Sequence, residues 1–137
     1  MCGIIGYLGS KPVSDVLLNG LQRLEYRGYD SAGIATISSG QIDIRCRVGK
    51  VSALAKDLAG QPVEGVLGIA HTRWATHGRP TEENAHPHLD ASKRIAVVHN
   101  GIIENHDAIR SFLQGEGVEF RSETDTEALV QLIGHFY

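Results

Sequence analysis

The chain has 137 residues, of which 42% are apolar, and a formal net charge of −3, which suits one globular domain or part of a larger protein. The acidic balance argues against nucleic acid as a partner, and no apolar run approaches the ~20 residues that cross a bilayer. The N-terminus lacks the basic region and long apolar core of an export signal, so the expectation is a cytoplasmic protein with Cys2 and Cys46 both reduced.

In chain order, residues 2–8 read as a buried strand ending at Gly9-Ser10. Val13, Val16, Leu17, Leu21 and Leu24 follow helical spacing. Arg27-Gly28-Tyr29-Asp30 breaks that pattern, and residues 31–38 form the next strand. Ser39-Gly40 is a turn signal. In residues 42–48, Ile42, Ile44, Cys46 and Val48 alternate with Asp43, Arg45 and Arg47, so the pair reads as a hairpin and Cys46 as a structural thiol. A short amphipathic helix over 51–58 precedes a strand over 66–74.

The polar stretch 75–90 holds three histidines and two prolines, and its length favours a functional lid or binding segment. A further strand is predicted over 95–99, then a helix from Asn105 or His106 to Leu113. Thr124 and Glu127 form a T-x-x-E capping box opening a last helix from Asp125 to about Phe136. Strands and helices in this order, with hairpin-like neighbours, predict an α/β (α+β) layered protein whose sheet is largely antiparallel.

The chemistry concentrates at strand ends and loops. Cys2 follows the initiator methionine, and loss of Met1 places a free α-amine beside the thiol of the same residue. That pair is a nucleophile and a base, the amine having an intrinsic pKa of roughly 7.7–8. Asn100-Gly101 can supply a side-chain amide and a backbone N–H to an oxyanion, though the same dipeptide is also a hairpin-turn signal. Arg73 can grip a carboxylate through two parallel hydrogen bonds, or serve in a surface ion pair. Asp125 can bind an ammonium, or simply favour a helix start. Together these groups would recognise the zwitterionic head of an amino acid and attack its side-chain carbonyl.

Cys2-Gly3-Ile4 at the extreme N-terminus resembles the class II, N-terminal-nucleophile (Ntn) glutamine amidotransferases. Residues 24–33 (LEYRGYDSAG), 70–78 (AHTRWATHG), 84–88 (NAHPH), 98–105 (VHNGIIEN) and 122–127 (SETDTE) are similar to the glutaminase half of the glucosamine-6-phosphate synthase family. Amidophosphoribosyltransferase and asparagine synthetase families share only a shorter Arg-Gly-x-Asp core. The resemblance implies a four-layer αββα Ntn-hydrolase sandwich, here a C-terminally truncated N-terminal part of the domain spanning residues 1–137, without the sugar-phosphate isomerase domain.

The same resemblance implies site roles. Cys2 would be the nucleophile, with Asn100 and Gly101 forming the oxyanion hole. Arg73 and Asp125 would hold the α-carboxylate and α-ammonium of glutamine. Trp74, Thr76 and His77 would line a closing loop, with Trp74 also gating ammonia, while Arg27 and Gly78 would support the site. The expected partners are glutamine and the isomerase domain, with pairing of two copies in the full-length family. No cofactor or metal is expected.

Other readings stand beside this one. The chain could be a catalytically silent glutamine-binding or assembly fragment, through truncation or a retained Met1, or the glutaminase domain of another amidotransferase such as amidophosphoribosyltransferase. His86-x-His88 with His71, His77 and His99 could offer imidazoles to a metal, though at no recognised zinc spacing. No phosphate-binding glycine loop or dinucleotide fingerprint is present.

Overall fold

A computed structural model describes residues 1–76 and 78–137. Strand β1 (Gly3–Leu8), helix α1 (Val13–Leu24), a 3-10 turn (Glu25–Arg27), β2 (Ser31–Ser38), β3 (Gln41–Val48), α2 (Val51–Gly60) and β4 (Leu67–Arg73) build the first half. The second half contains β5 (His88–Leu89), β6 (Ala96–Val97), α3 (His106–Gly115) and α4 (Asp125–Phe136). Strands β1-β4-β2-β3 form one sheet in that order, antiparallel throughout, and β5-β6 form a two-stranded antiparallel ribbon. The β2–β3 hairpin closes on Ser39-Gly40 with φ of 52° and 76°, the doubly positive pair that matches strand twist.

Pleating sorts this sheet into two faces. Ala32, Ile34 and Ala70 point to one side and join Val13, Leu17 and Leu21 of α1 and Val51, Leu54 and Leu58 of α2 in the principal core. The helix-facing arginines of β3, Arg45 and Arg47, reach Asp57 of α2, so the outer strand is tied to its helix by charge. Gly33, His71 and Arg73 occupy the opposite face. Continuing the β1–β4 register beyond Gly3↔Thr72 brings Cys2 alongside Arg73.

That second face is covered by residues 84–90, of which Asn84, Ala85, His86, His88 and Asp90 are buried. Of the two expectations for 75–90, a lid or a binding segment, the second half fits the latter: it is an interior wall leading into the ribbon, with His86 in the lining of a cavity. Contact is close enough to require glycine, because a Cβ on Gly33 would lie 2.2 Å from the His86 carbonyl oxygen and 2.6 Å from Cys46 Sγ. Helix α4 packs on β5 and β6, and α3 packs on α4. Arg110 of α3 donates to the Ser122 and Thr124 carbonyls and stacks over Phe120, fixing the approach to α4. Helices, sheet, ribbon and helices thus form four layers, an α/β sandwich with antiparallel strands.

Local differences from the sequence reading have simple causes. The strand expected over 95–99 pairs only at Ala96–Val97, because Asp90 takes the Ile95 N–H and His99 is drawn toward the histidines of the wall. Thr124 caps α4 by accepting the Glu127 N–H at 3.2 Å, but the reciprocal half of the capping box is absent. The Glu127 carboxylate instead receives the N–H groups of Arg121 and Ser122 and the Ser122 hydroxyl, while Ser122 Oγ takes the Thr124 N–H.

Candidate active site

One cavity of about 240 Å³ gathers the C-terminal end of β4, the residue before β1, the loop after β6 and the start of α4. Its lining includes Cys2, Arg73, Trp74, Thr76, Gly101 and Asp125, with His71, His86, His99, Ile102, Thr124 and Thr126 completing the wall. A larger cavity of about 560 Å³ lies beyond β5, bounded by Cys46, Glu82, Asp90, Arg121 and Glu127. Among the described residues it contains none of the predicted site residues, so the smaller one is the candidate site.

Cys2 Sγ is held by the backbone of Trp74, whose N–H donates to it at 3.1 Å and whose carbonyl lies at 3.6 Å. Asp30 fixes that peptide from behind. Its own N–H donates to the Arg73 carbonyl at 2.7 Å, and its Oδ2 accepts the Ala75 N–H at 2.6 Å. Met1 caps the strand, its α-amine donating to the carbonyls of Arg27 and Gly28 at 3.1 and 2.9 Å. Arg27 therefore meets the N-terminus through its backbone, with its guanidinium against the Met1 sulfur.

Arg73 is 4% exposed, and its guanidinium donates to the carbonyls of Gly78 and Arg79. Burial lowers its pKa from the ordinary arginine value, opposed by the negative field of Asp30, Cys2, Asp125 and Glu123. It remains a cation at any physiological pH. Gly78 thus contributes a carbonyl that positions Arg73. Asp125, in the first turn of α4, is buried and accepts the Ile103 N–H on Oδ2 at 2.8 Å. One carboxylate thereby ties the loop carrying Gly101 to the helix. A guanidinium and a carboxylate within one small cavity match the two charges of an α-amino acid, with a thiol at reach of its side chain.

Gly101 lines the cavity at φ +139°, a backbone state that side chains rarely adopt. Asn100 stands just outside the lining, with its Oδ1 2.7 Å from His71 Nε2. Trp74 is 55% exposed at the rim. His77 lies outside the described residues.

Several residues in or behind the wall were not singled out by sequence as site members: His71, His86, His99 and Thr126 in the lining, and Asp30 behind it. Their signal was the density of histidines and the Arg27–Gly33 cluster, which spacing alone could not assign. His71 and His86 stack with ring centroids 4.4 Å apart, and His86 meets His88 edge-on at 4.7 Å. His88 Nε2 lies 2.9 Å from Thr124 Oγ1. Burial lowers the pKa of His71 and of His88 to about 4, and pushes His86 lower still. By contrast, burial and then the charge of Glu82 raise the Cys46 thiol to about 12, as befits a structural cysteine.

Fold, cavity and thiol together define an Ntn-type amidotransferase site. Residues 44–136 match the glutamine amidotransferase domain family, and the chain belongs to that family. It is 59% identical over 133 residues to glutamine–fructose-6-phosphate aminotransferase [isomerizing] of Brucella abortus, covering 97% of this chain and 22% of that protein. With the enzyme of the same name from Thermus thermophilus, identity is 55% over 137 residues, or 100% of this chain and 23% of that protein. The chain therefore spans under a quarter of the length of these curated relatives. Among solved structures, the glutamine phosphoribosylpyrophosphate (PRPP) amidotransferase from B. subtilis, complexed with ADP and GMP, superposes with a TM-score of 0.82 at 27% identity. That superposition covers 98% of this chain and 29% of the other.

Proposed function

We propose that this chain hydrolyses glutamine to glutamate and ammonia, and that the ammonia serves amino-sugar synthesis from fructose 6-phosphate in a longer protein carrying a sugar-phosphate isomerase domain. The observation that carries the reading is the Cys2 thiol beside Arg73 and Asp125 in one amino-acid-sized cavity. The much higher identity to the fructose-6-phosphate enzymes than to the PRPP amidotransferase favours that destination for the nitrogen. A cytoplasmic location and association of two copies go with this assignment.

In this mechanism Arg73 receives the glutamine α-carboxylate and Asp125 its α-ammonium, which delivers the side-chain amide to Cys2. Removal of Met1 frees the Cys2 α-amine to take the thiol proton as sulfur attacks the amide carbon. The resulting oxyanion is met by Asn100 Nδ2 and the Gly101 N–H, a donor of this kind contributing about 2.7–4 kcal/mol. The amine returns its proton to the departing nitrogen, releasing ammonia and leaving a γ-glutamyl thioester. Water then adds to the thioester, the same amine accepting its proton, and glutamate leaves with the thiol restored. Trp74 and Thr76 lie over the substrate at the cavity wall.

The test is intact-mass analysis with an electrophilic glutamine analogue, followed by an assay for glutamate. A single adduct on Cys2 of Met1-free protein, with Cys46 unmodified and activity lost in Cys2→Ala, is the expected result. Glutamate release that survives Cys2→Ala would overturn the assignment.

A further inference from the structure

We infer that His71 is the positioning residue of the oxyanion hole, its imidazole holding the Asn100 side-chain oxygen so that the amide –NH2 faces the reacting carbonyl. The inference rests on the glutaminase reading above and assigns a role to a side chain that reading leaves idle.

The His71 Nε2–Asn100 Oδ1 separation is 2.7 Å. An amide oxygen only accepts, so Nε2 carries the proton, and the planar amide then presents its two N–H donors on the side away from the ring. Asn100 is exposed, and its terminal torsion is intrinsically broad. An unrestrained amide would spend part of its time with oxygen toward the developing oxyanion, which repels rather than stabilises it.

The imidazole is itself over-determined. His71 is 1% exposed on β4 and stacked on His86 at an interplanar angle of 20°. His86 Nδ1 in turn accepts the N–H of His99, the residue before Asn100, at 3.4 Å. The row of rings ends at His88, bonded to the N-cap of α4. Sheet, oxyanion loop and the helix bearing Asp125 are thereby referenced to one another through a line of neutral imidazoles.

The experiment uses Met1-processed protein expressed from its whole gene, with glutaminase kinetics for His71→Phe, Asn100→Ala and the double variant. His71→Phe keeps a ring for stacking and removes the donor. The expected result is a kcat lower by on the order of 10-fold to 100-fold, with KM for glutamine within about 2-fold, since the donor acts on the transition state. In the Asn100→Ala background the same change is expected to cost less than about 2-fold. A loss carried by KM, or one that multiplies fully on Asn100→Ala, would overturn the inference. If His71→Phe does not fold, His71→Gln and His71→Asn carry the test. The Gln amide reaches the Nε2 position and the shorter Asn amide does not, so kcat should differ by about 10-fold, and equal rates would overturn it. Wild-type protein that makes no glutamate would sink the glutaminase reading itself, whereas active wild type with unaffected His71 variants would sink only this one.

Discussion

The backbone N–H of Trp74 donates to the sulfur of Cys2 at 3.1 Å. The position of the sulfur therefore depends on a peptide whose orientation Asp30 sets from both flanks. Asp30→Ala is expected to slow Cys2 alkylation and glutamine hydrolysis together, each by about 10-fold, with KM little changed. Alkylation measured against pH by mass spectrometry checks this. Unchanged alkylation with slow hydrolysis would place the effect of Asp30 elsewhere.

In the proposed mechanism, Arg73 and Asp125 carry the charges that meet the substrate head group. Arg73→Lys retains the charge but loses the planar fork, so KM for glutamine is expected to rise about 10-fold to 100-fold. Asp125→Asn keeps an acceptor for the Ile103 N–H and removes only the negative charge, so it too should act mainly on KM. Steady-state kinetics against glutamine, with ammonia release as the readout, would refute the assignment if kcat fell and KM stayed constant.

Gly33 is where the sheet and the histidine-bearing wall touch. Gly33→Ala places a methyl 2.2 Å from the His86 oxygen, and backbone on both sides must move. A loss of about 2–4 kcal/mol of stability is expected, read as a shift in the denaturant midpoint. The same substitution at Gly40, where a Cβ meets nothing within 4 Å but φ is +76°, should cost about 1 kcal/mol. Equal losses at both sites would mean the close approach is relieved cheaply.

The buried histidines set the acid limit of the fold. His71 and His88 titrate near 4 in the folded chain, as against an ordinary 6.5, because burial disfavours the imidazolium. Above about 6.5 they are neutral in both states and contribute no pH dependence. Below it the unfolded chain binds protons that the folded chain refuses, so stability falls with falling pH down to about 4. Each such histidine contributes a slope of up to about 1.4 kcal/mol per pH unit. Chemical denaturation at pH 7.5, 6 and 5 should show a midpoint that drops steadily below pH 6.5, and a flat profile would show these imidazoles are solvated.

How far the sequence could be read depended on the kind of signal. Helix α1 falls on its predicted bounds because its apolar spacing faces one core, and β2 because it is a continuous run of small and apolar residues buried on both faces. The short extent of the strand near Ala96 and the buried course of residues 84–90 were not legible, because their order comes from tertiary partners, Asp90 and Gly33, that no local window contains. The candidate site shows the same division. Cys2, Arg73, Gly101 and Asp125 line one cavity. The ordering of Asn100 by His71, and of Trp74 by Asp30, was invisible because each pair is joined only by sheet register and loop packing.

The antiparallel partner of β1 is β4, and the cavity is closed by the first turn of α4. In chain order Cys2 is therefore synthesised well before Arg73 and Asp125. Until Arg73 and Asp125 have been synthesised and docked, the N-terminus is an open tail, and a peptidase can trim the methionine there. In the proposed mechanism, the order of synthesis would separate maturation of the nucleophile from its use.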